Sequence, residues 1–392
     1  MRIAMLLDSP FPPDPRVANE ARSLVDAGHE VHLVCPELGG RPREETWQGV
    51  ELRRWPISRF RFKKFGALNL ELPFHRMFFK RALEQTIREQ DSEAIHVHDL
   101  PLLEVGLELG RQYQIPVVAD LHENYPAAVE NYDYANRFPG RLLISTERWR
   151  RYEKRTVPQA DRVLVVIEEA RERFAGTIPN EKIEVISNTV EVGEFEGFPI
   201  DQELVDRLAS QMTFVYLGGF DRHRGLETLV EAFDQFRKEQ SDAYLVLVGT
   251  GATRAALESQ CAQLGLSDRV SFEGWQDFRK FPSYVLGSSV CMIPHLRSEH
   301  TDTTIPHKLF HYMLLERPVI STDCRPLRRI LESTGAGLCY PSGDARALSE
   351  RFREMRDPKL RAKLGAAGRV AVLDEFNWAQ TARRLVAIYD SL

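Results

Sequence analysis

Three short stretches hold the side chains best suited to chemistry. In "ADLHENYP", the ionisable groups Asp120, His122 and Glu123 crowd together at the end of an apolar run. In "YLGGFDRHRGLETL", Gly218 and Gly219 precede Arg222, His223 and Arg224, and Gly225 opens a helical pattern. In "TTIPHKLFHYMLLERPVIS", Thr303 to Ser321, the residues His307, Lys308 and His311 interrupt an apolar run. The second stretch suits an anion: glycines let the backbone come close, a helix start adds partial positive charge, and Arg offers bidentate donors. In the third, Pro306 fits a first helical turn that Thr303 or Thr304 would cap, so that helix start is a second anion-binding candidate. His307 and His311 have the spacing of metal ligands, but no third ligand stands near and no zincin Glu lies between them. A role in binding a phosphorylated ligand is the better reading, and we assign no metal.

The elements that must position these groups alternate from the start. "RIAMLLD" reads as a strand, "PRVANEARSLVDAG" as an amphipathic helix and "HEVHLVCP" as a second strand, which makes a parallel βαβ unit. Further strands are expected at "AIHVHD", "IPVVADLHE", "RVLVVIE" and "IEVISN". A weakly periodic segment, "VEVGEFEGFPIDQELVDR", reads as a linker, and a second series follows: "FVYLGGF", "YLVLVGTG", "VSFEGW", "SSVCMIPH", "RPVISTD" and "GAGLCYP". The expected fold is α/β, with two doubly wound Rossmann-like domains facing a central cleft at the carboxyl ends of their strands. The boundaries we expect are 1–195, 196–375 and a C-terminal helix at 376–392, with Trp378, Leu385 and Ile388 on its buried face, packed across either domain.

Composition limits the function classes. At 392 residues the chain exceeds one ordinary core, and 43% hydrophobic with 28% charged residues is the balance of a globular enzyme. A net charge of -5 argues against a nucleic-acid footprint. Cys35, Cys261, Cys291, Cys324 and Cys339 are scattered among apolar residues and read as reduced core thiols. The first apolar run meets Asp8 too early for a secretory signal, and nothing reaches the length of a membrane span, so a cytoplasmic protein is expected. "ERWRRYEKR" reads as an amphipathic helix with solvated charges.

Taken in order, "YLGGFDRHRGLETLVEAF", "LVLVGTG", "VSFEGW", "PHKLFHYMLLERPVIS" and "FNW" resemble the C-terminal half of family-four glycosyltransferases of the GT-B fold. "PRVANEARSLVDAGHEVHLV", "ADRVLVVIEEARERF" and "VISNTVE" resemble that family's acceptor domain. The resemblance implies a metal-independent hexosyltransferase that moves a sugar from a nucleotide-diphosphate donor with retention of configuration and needs no cofactor. It implies that Gly218, Gly219 and Arg224 meet the diphosphate, that Arg222 supplies a contact the family places after the first glycine, and that His122 approaches the reacting carbon. Thr304, Ile305 and Lys308 join the donor-binding candidates. Asp14, Arg16, Asp120 and Glu123 are candidates on the acceptor side.

Two positions depart from the family pattern. Thr303 and His311 stand where a pair of Glu residues is usual, and neutral His accepts one hydrogen bond where a carboxylate accepts from both ribose hydroxyls. Glu316 occupies a left-handed position where the family often has Gly. Two alternatives therefore stand beside the transferase: a catalytically silent nucleotide-sugar-binding or scaffold protein, and a nucleotide-sugar epimerase. Finally, "RRWPISRFRFKKFG" interleaves basic and aromatic residues, a mixture that also suits anionic lipid. With envelope or polysaccharide assembly implied, Arg59, Arg61, Lys63 and Lys64 read as a peripheral membrane patch serving a glycan or lipid-linked acceptor.

Overall fold

The computed structural model describes residues 1–70, 72–130, 144–240 and 242–392. The chain forms two compact units, Met1–Ser187 with Thr381–Leu392, and Asn188–Gln380. The first is built on an eight-stranded sheet of order β3-β4-β2-β1-β5-β6-β7-β8. Its strands are β1 Arg2–Leu6, β2 Glu30–Glu37, β3 Glu44–Trp47, β4 Val50–Pro56, β5 Ala94–His98, β6 Val117–Leu121, β7 Arg162–Val165 and β8 Ile183–Val185. All neighbours run parallel except β3 and β4, an antiparallel pair at one edge. The strand order reverses between β1 and β5, and a ligand crevice in such a sheet opens at the carboxyl ends beside that switch.

The second unit carries six parallel strands in the order β11-β10-β9-β12-β13-β14. They are β9 Met212–Leu217, β10 Ala243–Val248, β11 Val270–Gly274, β12 Val290–Ile293, β13 Val319–Thr322 and β14 Gly337–Tyr340. Its switch lies between β9 and β12. The core gathers Phe214, Phe233, Phe236 and Phe352 around this sheet, all fully buried, with Phe214 and Phe352 centroids 4.5 Å apart. Continuous apolar strands such as "AYLVLV" follow from burial on both faces.

Helix Pro15–Asp26 shows how local sequence feeds the site. Asp14 accepts from the Val17 N–H as its N-cap and Pro15 fits its first turn, so Asp14 acts in capping. Val17, Ala21 and Leu24 form its apolar stripe, yet Arg16 and Glu20, one turn apart, are buried too. The C-terminal helix Trp378–Asp390 brings Tyr389 into the first unit, where its hydroxyl meets His96 Nδ1 at 2.6 Å.

Three expectations need correction. The segment read as a linker contains helices Val192–Glu196 and Gln202–Ala209. The basic-aromatic stretch is not a single loop: Arg53 to Trp55 lie in β4, and Ser58 caps a helix at Arg59–Ala67. Arg54 is 1% exposed and holds Phe11 O, Pro42 O and Glu45, so it is no surface cation. The helix expected from Pro306 starts at Lys308 and has seven residues with no side-chain cap. Thr303 and Thr304 instead donate to Glu299 O and His300 O at 2.7 and 3.0 Å, which removes that helix start as an anion site. Glu316 does adopt the left-handed conformation, with φ 55°.

Candidate functional site

Each unit holds a charged cluster at its own switch point. In the first, Asp120 is the next-to-last residue of β6 and is completely buried. Its Oδ2 accepts from His122 Nε2 at 2.7 Å, Arg16 Nε at 3.1 Å and His98 Nδ1 at 3.2 Å, and Arg16 Nη2 holds Oδ1. Asp99, just past β5, accepts the His122 N–H at 3.0 Å and lies 3.3 Å from His122 Nδ1. Burial opposes charge on the His122 ring, but Asp99 and Asp120 outweigh it and lift its pKa to about 10. Burial likewise opposes ionisation of Asp120, yet Arg16 and His122 hold it well below the ordinary carboxylate range. His122 is therefore an imidazolium with both ring N–H groups facing carboxylates, and it has no lone pair with which to act as a base.

The remaining members close the charge balance. Arg16 and His122 are positive and Asp120 is negative; burial raises the Asp99 pKa while His122 pulls it back, and buried Glu20 is raised to about 8, by desolvation first and by Asp120 as well, so it carries a proton at neutral pH. His96 and His98 stay neutral, pushed down by burial. Tyr389, whose pKa burial lifts well above its usual value, donates to His96 Nδ1. Among the described residues, Glu20, His96, His98 and Asp120 could in principle surround a metal ion. The Arg16 guanidinium already lies between Asp120 and the Glu20 carboxyl group, 3.0 Å from the latter, so a divalent cation there would sit beside a fixed like charge. The donor set does not fit a metal. Glu123 follows, half-buried, in the turn after His122.

In the second unit, the loop after β9 carries Gly218 at φ 145° and Gly219. A Cβ on Gly218 would lie 2.8 Å from Lys308 Nζ, so glycine is required for this approach. The Gly218 N–H is committed to Val248 O, which corrects its expected role as a phosphate donor; the Gly219 N–H has no partner among the described residues. Arg224 ends a turn of 3-10 helix and donates to His295 Nε2 at 2.9 Å. His295, just past β12, is held neutral by burial and by Arg224. Lys308 Nζ donates to Leu217 O at 2.6 Å and sits 4.0 Å from the Tyr216 ring centroid. Burial, then Arg224, pull the Lys308 pKa well down. Neither Arg224 nor Lys308 has a carboxylate within ion-pair distance among the described residues. Arg222 is exposed on the same turn and Ile305 is buried.

Beside this loop a cavity of about 360 Å³ opens at the carboxyl ends of β9, β10 and β11. Gly219, Gly249, Trp275, Gln276, Phe278 and Phe281 are in its wall, and Trp275 is 75% exposed. His311 does not join a metal pair. Its Nδ1 donates to His307 O at 2.9 Å, and its ring packs 4.5 Å from Phe195 and 5.4 Å from both Phe278 and Phe281. Burial drives its pKa down to about 3, so Nε2 offers one acceptor lone pair. Sequence reading had placed His122, Asp120, Arg16, Arg224 and Lys308, but it missed Glu20, His96, His98, Asp99, His295 and Trp275. The signal for two of these was present: His96 and His98, two apart on a strand, point the same way.

Comparison with known proteins agrees with this architecture. Residues 16–194 match the model of Glycosyltransferase Family 4 and residues 205–371 that of Glycosyl transferases group 1. The alpha-monoglucosyldiacylglycerol synthase of Streptococcus pneumoniae is 24% identical over 286 residues, 70% of this chain and 61% of that protein. The chain thus spans less than two thirds of that relative. The sucrose-phosphate synthase of Thermosynechococcus elongatus superposes with a TM-score of 0.80 at 21% identity, covering 100% of this chain and 98% of its own. HepE of Anabaena, solved in complex with UDP, gives 0.74 at 14% identity and covers 100% of both. With both halves matched in order on two Rossmann-like sheets, the chain belongs to family four of the GT-B glycosyltransferases.

Proposed function

We propose that this chain is a retaining hexosyltransferase that carries a sugar from a nucleoside diphosphate to a glycan or lipid-linked acceptor in cell-envelope or polysaccharide assembly. The observation that carries this reading is the pair Arg224 and Lys308, two cations without a carboxylate beside a glycine loop at a topological switch point. Such a pair is unfavourable alone and is relieved by a polyanion. A bound diphosphate would favour the charged form of Lys308 and receive Arg224 and the Gly219 N–H. Those contacts strengthen as negative charge grows on the leaving group, which is how fixed donors lower a barrier. The base would lie in the cavity near Trp275, and His311 Nε2 would accept from one ribose hydroxyl.

His122 would contribute a fixed positive charge. The acceptor proton would then pass to the departing diphosphate, with no metal and no protein base. UDP in the HepE complex supports a nucleotide donor, and the lipid in the name of the Streptococcus relative supports a lipid-borne acceptor. Among the described residues no helix is long and apolar enough to cross a membrane. We place the protein on the cytoplasmic side, peripherally attached through Arg59, Arg61, Lys63 and Lys64, with Phe60 72% exposed among them.

A thermal-shift panel of nucleoside diphosphates and their sugars tests the donor site. A ligand at 100 times its dissociation constant stabilises the folded state by about 2.7 kcal/mol. One nucleotide should raise the melting temperature, and Arg224→Ala should abolish the rise. A second reading, a protein that binds the donor without transferring it, is favoured by the enclosure of His311 in three aromatic rings. Transfer to any acceptor that disappears in Arg224→Ala excludes it.

A further inference from the structure

A second cleft, of about 490 Å³, lies in the first unit at the carboxyl ends of β1, β2 and β4. Its wall combines Arg41, Arg59 and Lys63 with apolar Phe11, Leu38 and Phe62. Arg59, Phe62 and Lys63 come from the helix Arg59–Ala67, where spacings of three and four residues put them on one face. One carboxylate, Glu37, also lines it. That group is turned onto the backbone N–H groups of Gly39, Gly40 and Arg41; burial opposes its charge, but these bonds hold its pKa below the ordinary range. The three cations have no carboxylate within ion-pair distance among the described residues. Arg41 and Arg59 lean instead on the carbonyls of Pro12 and Leu38, at 2.6 and 3.2 Å. The cleft thus carries exposed cations at its mouth and half-buried Leu38 and Phe62 deeper in its wall.

We propose that this cleft holds the phosphate of a lipid-borne acceptor, with Arg41, Arg59 and Lys63 on the phosphate and Leu38 and Phe62 along the first carbons of the chain. The proposal rests on the transferase reading and names its acceptor class. Charge complementarity selects an anion, and the apolar wall behind the cations selects one attached to hydrocarbon. The same helix turns Phe60 outward, with Lys64 Nζ 5.5 Å from its ring centroid, and Phe74 and Met77 are 55% and 48% exposed on the next helix, Phe74–Gln90. Apolar side chains standing out beside cations are the means by which a surface enters the headgroup layer of a bilayer. Along the sheet, β2 is separated from β6 by β1 and β5. Strands lie about 4.8 Å apart, so the cleft stands roughly 14 Å from His122. Phosphate and accepting hydroxyl would therefore belong to different parts of one acceptor.

The test uses the full chain with three probes: geranyl phosphate, inorganic phosphate and geraniol, each titrated calorimetrically. Geranyl phosphate should bind at least about tenfold more tightly than either of the others, since one charge-assisted hydrogen bond or a few buried methylenes each supply that much. Arg59→Ala and Lys63→Ala should each weaken it about tenfold and leave nucleoside-diphosphate stabilisation of the second unit unchanged. Geranyl phosphate binding that follows both cations supports the cleft even if no nucleotide binds, which separates this proposal from the donor reading. Equal affinity for inorganic and geranyl phosphate overturns the lipid assignment, and unchanged affinity in both variants overturns the site.

Discussion

Replacing Asp99 by Asn should turn His122 from a permanently charged group into one that titrates close to neutrality. The Asp99 Oδ2 lies 3.3 Å from His122 Nδ1. With an effective dielectric constant of about 20, two unit charges at that distance interact by about 5 kcal/mol. Asp99 is 29% exposed, so water screens part of this, and we expect the pKa to fall by about two, from about 10 toward about 8. Asn preserves the shape and can still accept the His122 N–H. The assay is a pH titration of the carbon-labelled imidazole Cε1 signal between pH 5.5 and 10.5. His96 and His98 will not obscure it, because burial pushes both downward. The stability sign follows from linkage: a pKa raised on folding contributes fully below the unfolded value of about 6.5 and is lost as pH rises through about 10. Glu20, raised to about 8, adds a loss over a lower window, from its unfolded value upward. Wild type should therefore lose stability steadily above neutrality, and the Asn variant should lose its smaller His122 contribution earlier. A wild-type His122 that titrates near 6.5, or a variant that titrates where wild type does, refutes the charge assignment.

Three further substitutions have defined outcomes. Gly218→Ala forces a Cβ onto Lys308 Nζ at a φ of 145°, a region nearly restricted to glycine; calorimetry should show a loss of about 1–3 kcal/mol, or about 2–4 °C for each kcal/mol, together with weaker nucleotide binding. His311→Glu, which puts a carboxylate where the family resemblance implies one, should destabilise by about 3 kcal/mol or more in urea without improving nucleotide affinity, because the carboxylate would be buried among Phe195, Phe278 and Phe281. Tyr389→Phe strands the buried His96 Nδ1, and about 1–3 kcal/mol should be lost from the unfolding transition of the first unit alone.

Much of the fold was legible because fully buried parallel strands are short apolar runs between helical patterns, and β1, β5, β6 and the six strands of the second unit stand where those runs do. The edge pair β3 and β4 was not. "EETW" is mostly exposed, and Arg54 disguises a buried strand position because its charge is met by Glu45 and two carbonyls that only the fold brings near. The start of the helix Lys308–Leu314 was misread for a related reason. Thr303 and Thr304 hydroxyls serve a preceding turn as readily as they cap a helix, and sequence does not say which backbone group they will face. Arg224 and Lys308 were found as cations in suggestive loops. That they lack carboxylates is a property of the packing, and it is what turns two basic residues into an anion site.

The two switch points handle charge in opposite ways, and the difference bears on the order of events. At the first unit's switch point Arg16 and His122 face Asp99 and Asp120 and are tied to them by hydrogen bonds, with protonated Glu20 packed beside Arg16. Such a cluster keeps its arrangement whether or not a ligand is present, because moving any member would leave a buried charge unpaired at a cost of several kcal/mol. In the second unit Arg224 faces a neutral His295 and Lys308 is discouraged from holding its proton. That arrangement is completed only by an anion, so nucleotide binding should take up a proton. Isothermal titration in buffers of different ionisation enthalpy measures this directly. Proton uptake that is lost in Lys308→Met is the expected result; binding without proton uptake would show that Lys308 is already charged in the free protein and that the burial argument for it fails.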